Sequence, residues 1–120
     1  MSLDLGAKKK SIDFTVYGDK YSFEVTEKSI NNLKDGLAEV EYQVEKVGED
    51  PQKAKEVFAK GFDAILGVGA SDKIFSHEDD LITLMQTFMN VGDYLVTEYN
   101  KLFKDNSSQK ATKLIASKKR

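Results

Sequence analysis

Period-two alternation on both sides of Gly18-Asp19 constrains this chain more than any other feature. Ile12, Phe14 and Val16 alternate with Asp13, Thr15 and Tyr17, and Tyr21, Phe23 and Val25 alternate with Lys20, Ser22 and Glu24. Two such runs around a glycine turn predict a β-hairpin. Glycine in the first turn position suits a two-residue type II′ turn, because only glycine takes the required positive φ at little cost. In that register Val16 faces Tyr21, Phe14 faces Phe23 and Ile12 faces Val25, so all six apolar side chains share one face. An isolated hairpin is marginal in water, so that face must lie on other elements.

Those elements are helical. Thr26 suits an N-cap. Beyond it Ile30, Leu33, Leu37, Val40, Val44 and Val47 step in threes and fours to a stop at Gly48, with Glu39, Glu41, Glu45 and Lys46 on other faces. Asp50-Pro51 restarts the chain, with aspartate as cap and proline in the first helical position. The second helix carries Ala54, Val57, Phe58, Phe62, Ile65 and Leu66 as far as Gly67-Val68-Gly69-Ala70. Ser71 to Phe75 read as a turn or a short helix. Ser76-His77-Glu78-Asp79 is expected to open the third helix, with Ser76 as its cap. Leu81, Leu84, Phe88, Val91, Leu95, Tyr99 and Leu102 line one side of it, joined by Met85, Met89 and Phe103. The expected fold is α+β, mostly α: an N-terminal hairpin followed by three helices (ββααα). Residues 1–10 read as a flexible basic lead, 11–104 as one domain, and 105–120 as a disordered or frayed basic tail.

Charge is distributed unevenly. Residues 1–10 sum to +2 and residues 104–120 to +5, which leaves −9 on the body from 11 to 103 within a chain of net charge −2. An acidic body repels phosphate, which argues against nucleic-acid recognition by the folded part. There is no cysteine, hence neither a disulfide framework nor a thiolate metal site. No apolar run approaches the ~20 residues of a membrane span. The N-terminus lacks the apolar stretch of a secretory signal, and the chain reads as cytoplasmic.

Polar chemistry is sparse. The single histidine, His77, stands in His77-Glu78-Asp79-Asp80. Consecutive helical residues diverge by about 100° and cannot converge on one ion, so this cluster reads as a helix start rather than a metal site. Gly67-Val68-Gly69 follows a helix instead of a strand, unlike a dinucleotide-binding turn. No nucleophile elbow or P-loop is present. Neither a cofactor nor a catalytic residue is expected, and the chain reads as a binding protein rather than an enzyme.

The apolar helix faces carry more information. Gly36, Gly61 and Gly92 lie inside helices, each at ~1 kcal/mol relative to alanine. Close helix packing tolerates such glycines, and so does a surface that re-packs around a guest. Methionine-rich bands recur at adaptable peptide-binding surfaces. Phe58, Phe62, Phe88 and Met89 therefore have two readings, core or partly exposed partner-binding face. Burial of surplus apolar area in a homo-oligomer is a further expectation.

One segment, DPQKAKEVFAKGFDAILGVGASDKIFSHEDDL, joins a D-P-x-K-A helix start to an A-I-L-G-x-G-A-x-x-K-I-F turn and an acidic lead into the last helix. Together with the hairpin SIDFTVYGDKYSFEVTEKSI, it resembles small tail assembly chaperones encoded by siphophages and prophages of Gram-positive bacteria. The resemblance covers roughly residues 10–103. It implies binding to the tape measure protein, a long, helical, apolar chain kept soluble until tail-tube subunits polymerise around it. It implies self-association and no catalytic residues. A longer frameshifted form is a feature of such proteins, and Lys118-Lys119 suits a slippery adenine run. The other readings are a phage structural or adaptor tail protein and a small regulator using its basic tail on nucleic acid.

Overall fold

The computed structural model describes residues 3–104; the expectations for 105–120 lie outside the described residues. Strands β1 (Lys10–Val16) and β2 (Asp19–Val25) form an antiparallel hairpin. Four helices follow: α1 (Glu27–Val47), α2 (Pro51–Leu66), α3 (Ala70–His77) and α4 (Leu81–Phe103). The class is α+β and mostly α, as the patterning predicts.

The register of the hairpin differs from the expected one. Ile12 pairs with Phe23, Phe14 with Tyr21 and Val16 with Asp19. The turn residues are therefore Tyr17 and Gly18, both at positive φ (51° and 86°), the signature of a type I′ turn. A tyrosine seldom takes this conformation, and here tertiary contacts hold it. Its hydroxyl lies 2.8 Å from Thr87 Oγ1 on α4, and its ring stacks on His77 of α3 at 5.8 Å between centroids. Next to it Asp19 Oδ2 lies 3.3 Å from His77 Nε2. The slip is by two residues, so every side chain keeps its face. Ile12, Val16 and Phe23 are buried, and Phe14, Tyr21 and Val25 pack against the same core.

Two helix starts follow the sequence closely. Thr26 Oγ1 accepts the Ser29 amide at 3.1 Å, and Asp50 Oδ1 accepts those of Gln52 and Lys53 at 3.1 and 3.3 Å. These bonds satisfy amides that lack partners within the first turn. Gly48 and Gly67 end the two helices at positive φ. The third start departs from expectation. Ser71 to Phe75 belong to a helix of eight residues that runs on through Ser76 and His77. Ser76 is therefore not a cap, and its hydroxyl donates to the Lys73 carbonyl instead. Asp63, eight residues earlier on α2, accepts the Ser71 amide at 2.9 Å, so an amide of the first turn is satisfied from another element.

Asp80 caps α4, accepting the Thr83 amide and hydroxyl at 2.9 Å each. The Thr83 amide is the main cause holding the Asp80 carboxyl below its ordinary pKa. Because the folded-state value is depressed, this cap supports folding above the ordinary carboxylate range and is lost as pH falls through the lowered value.

Helix α2 touches α1, α3, α4 and β2 and is the centre of the molecule. Its Phe62 meets Phe88 of α4 edge-on at 5.2 Å and Phe75 of α3 at 6.4 Å, while Phe58 meets Phe88 at 5.5 Å. Such edge-to-face pairs contribute ~0.5–1.5 kcal/mol beyond area burial. Among the described residues one buried side-chain group is unsatisfied: the Tyr21 hydroxyl has no hydrogen-bond partner there. Burial first, and then the Asp19 carboxylate, raises its pKa. Tyr21→Phe removes the orphaned oxygen while keeping the ring, and is expected to raise stability by up to about 1 kcal/mol in urea unfolding at neutral pH. A loss of similar size would reveal a hydrogen bond to that hydroxyl in solution.

Candidate protein-binding groove

Helices α1 and α4 both pack on α2 but touch each other little. They run antiparallel, since Leu37 lies at Gly92 while Val40 and Phe88 lie together at Gly61. Between them is a groove of about 460 Å³. Its base is formed by Phe58 and Phe88, its α1 wall by Leu37, Val40 and Val44, and its α4 wall by Met85, Met89 and Gly92. The polar side chains lining it are Glu41, Glu45 and Asp93, all exposed to solvent and all acidic.

Two glycines make this arrangement possible. A Cβ at Gly61 would come within 2.9 Å of Phe88 Cε1 and nearer still to Val40 Cγ2; one at Gly92 would come within 2.8 Å of Leu37 Cδ2. Both glycines are points where helices meet backbone to side chain. Gly36 differs, as its nearest neighbour, Ile65 Cγ1, would stand at 3.4 Å.

The four residues singled out from the sequence separate into three environments. Met89 is 56% exposed on the rim. Phe58 and Phe88 are 4% exposed each, core side chains that present an edge to the groove. Phe62 is wholly buried beneath Phe88 and does not line the groove. The α1 wall was not among those four. Its signal was the long 3-4 seam of α1, in which Leu37 and Val44 are only half-buried.

The groove suits a particular kind of ligand. A small-molecule site needs placed hydrogen-bond donors and acceptors to fix orientation. Here the walls are aliphatic, thioether and aromatic, and the acids sit at the edge. An amphipathic segment, apolar on one side and cationic beside it, meets both requirements. The second hollow of note, between β1 and α4, is lined by Phe14, Thr15, Val16, Tyr17, Thr87, Asn90, Val91 and Tyr94. Its Tyr17–Thr87 contact pins the hairpin tip to α4. Among the described residues no group of three His, Asp or Glu side chains could hold a metal ion. No described helix is long and apolar enough to cross a membrane. No protein-family model matches the chain, and neither a curated protein nor a solved structure does so.

Proposed function

We propose that the protein binds an apolar helical polypeptide in the groove between α1 and α4, and that it serves as a phage tail assembly chaperone for the tape measure protein. The observation that carries the binding reading is the pairing of an apolar floor with an acidic rim on an otherwise charged body. The identity of the client rests on the resemblance of residues 10–103 to such chaperones. A long client offers many weak sites in series, and self-association of the chaperone would multiply them into avidity. The reaction it serves is assembly in the bacterial cytoplasm, with no catalytic step.

Co-expression with a tape measure fragment tests this. The full chain is expected to keep the fragment soluble. Met89→Glu places a charge on an exposed rim position without disturbing the core, so the fold is expected to persist by circular dichroism. Losing the burial of a methionine, worth ~1.5–3 kcal/mol, weakens binding by roughly 10- to 100-fold. Asn90→Glu, one residue on and facing the other hollow, is expected to bind as the parent does. Equal solubilisation by both variants would overturn the groove assignment. Recovery of the protein from purified virions would instead identify a structural or adaptor component.

A further inference from the structure

Strand β1 has one edge without a partner strand. The sheet holds two strands, and β2 packs against α1 and α2 while β1 pairs with β2 alone. Val16 and Asp19 close the two-residue turn, so alternate residues from Val16 back to Lys10 bond to β2. Ser11, Asp13 and Thr15 direct their backbone N–H and C=O groups to the other side, a template for a further strand. The hollow between β1 and α4 lies on that side, for no residue of β2 lines it. It measures about 370 Å³, and its apolar lining is Phe14, Val16, Val91 and Tyr94, the last 42% exposed.

The chain also carries a segment that fits such an edge. Leu3 and Leu5 are 80% and 82% exposed, in a lead that is neither helix nor strand. At alternate positions they fall on one face once the segment extends. The lead holds Lys8, Lys9 and Lys10 against Asp4, a charge of +2, and the body it would meet carries −9. Its own β1 suits it poorly. Lys9 lies 3.9 Å from Glu24 of β2, which anchors the lead where β1 begins. Folded back from there, Leu3 comes opposite Phe14 only if Lys8-Lys9 forms a two-residue turn. Such turns need positive φ, which lysine adopts at a cost. The lead of another copy has no such constraint.

We propose that Leu3 and Leu5 of one copy dock in the β1–α4 hollow of a second copy, along the free edge of β1. Backbone bonds to Ser11, Asp13 and Thr15 supply affinity, and the leucines, seated among Phe14, Val91 and Tyr94, supply specificity. Exchange of a short segment joins two folded bodies without refolding either. No residue lines both this hollow and the α1–α4 groove, so assembly leaves the groove open.

Both leucines are already in water, so Leu3→Asp with Leu5→Asp removes no contact within the folded chain. Its circular dichroism is expected to match the parent's. Light scattering of the full chain at about 100 µM is expected to give a mass of at least two chains, and the double variant to associate at least about tenfold more weakly. The absence of cysteine allows a positional test as well. Leu5→Cys protein mixed with Asn90→Cys protein is expected to form a mixed disulfide about tenfold faster than with Met89→Cys protein, whose thiol lies on the groove rim. A monomeric parent, an unchanged mass in the leucine variant, or equal rates in the two mixtures would overturn the proposal. So would an intrachain disulfide in Leu5→Cys with Asn90→Cys at about 1 µM, which would place the lead on its own β1. No client takes part in these measurements, so their failure bears on the β1 edge alone, and failed solubilisation of a client bears on the groove alone.

Discussion

Phe62→Ala is expected to lower the stability of the protein by about 3–5 kcal/mol, the largest effect of any single truncation considered. Phe62 is fully buried, and its ring joins three helices at once through Phe88 on α4 and Phe75 on α3. Removing the ring loses its transfer free energy and leaves a void that its neighbours close only in part, Phe88 being held edge-on by Phe58 as well. Domains of this size have a total stability of roughly 5–15 kcal/mol. The variant is therefore expected to unfold at a much lower urea concentration with an unchanged slope. Met89→Ala, with more than half of the side chain in water, is expected to change stability by less than about 0.5 kcal/mol. A small loss at Phe62 would show that water reaches it. The contrast also bears on the design of binding tests. Phe62→Asp buries a carboxylate with no partner and reports on folding, whereas Met89→Glu reports on the groove.

Gly61→Ala and Gly36→Ala are expected to change stability in opposite directions, although each puts one methyl on the inner part of a helix. Helical propensity alone favours alanine by about 1 kcal/mol at both positions. At Gly36 the new carbon meets Ile65 at ordinary contact distance, so that gain survives. At Gly61 it collides with Val40 and Phe88, both buried and neither with a flexible far end to move aside. Overpacking of this kind costs ~1–3 kcal/mol, occasionally more, and outweighs the propensity gain. Thermal unfolding of the two variants against the parent measures the difference. A stabilised Gly61→Ala protein would mean that α1 and α4 can separate from α2 at little cost. Because Val40 and Phe88 are also groove residues, the same collision is expected to alter ligand binding more than the stability loss alone predicts.

Much of the fold was legible because local chemistry specified it. Thr26, Asp50-Pro51, Gly48 and Gly67 define the ends of α1 and α2 through caps and positive-φ stops that need nothing from the rest of the chain. The hairpin face was equally readable, since side chains alternate with a period of two whichever turn joins the strands. Where the turn falls was a tertiary decision. Gly18-Asp19 is the better local turn, yet Tyr17-Gly18 is used because the Tyr17 hydroxyl reaches Thr87 and its ring reaches His77, residues 70 and 60 positions away. Ser71 to Phe75 were readable only as a turn or a short helix, because the side chain that satisfies the Ser71 amide, Asp63, sits on the preceding helix.

The groove illustrates the same division. Periodicity identifies which side chains turn inward on each helix, and Phe58, Phe62, Phe88, Met85 and the α1 seam all belong to that set. Periodicity does not say how far apart two helices stand, and that distance decides whether an inward side chain is sealed or open. In this protein the amino-acid pattern by itself determined the hairpin, the three long helices, their faces and the acidic charge of the body, because those depend on neighbours within a turn or two. The tertiary structure alone decided that Phe62 is core and Met89 is rim, because Phe62 lies on α2 beneath Phe88 while Met89 lies at the edge of the groove between α1 and α4.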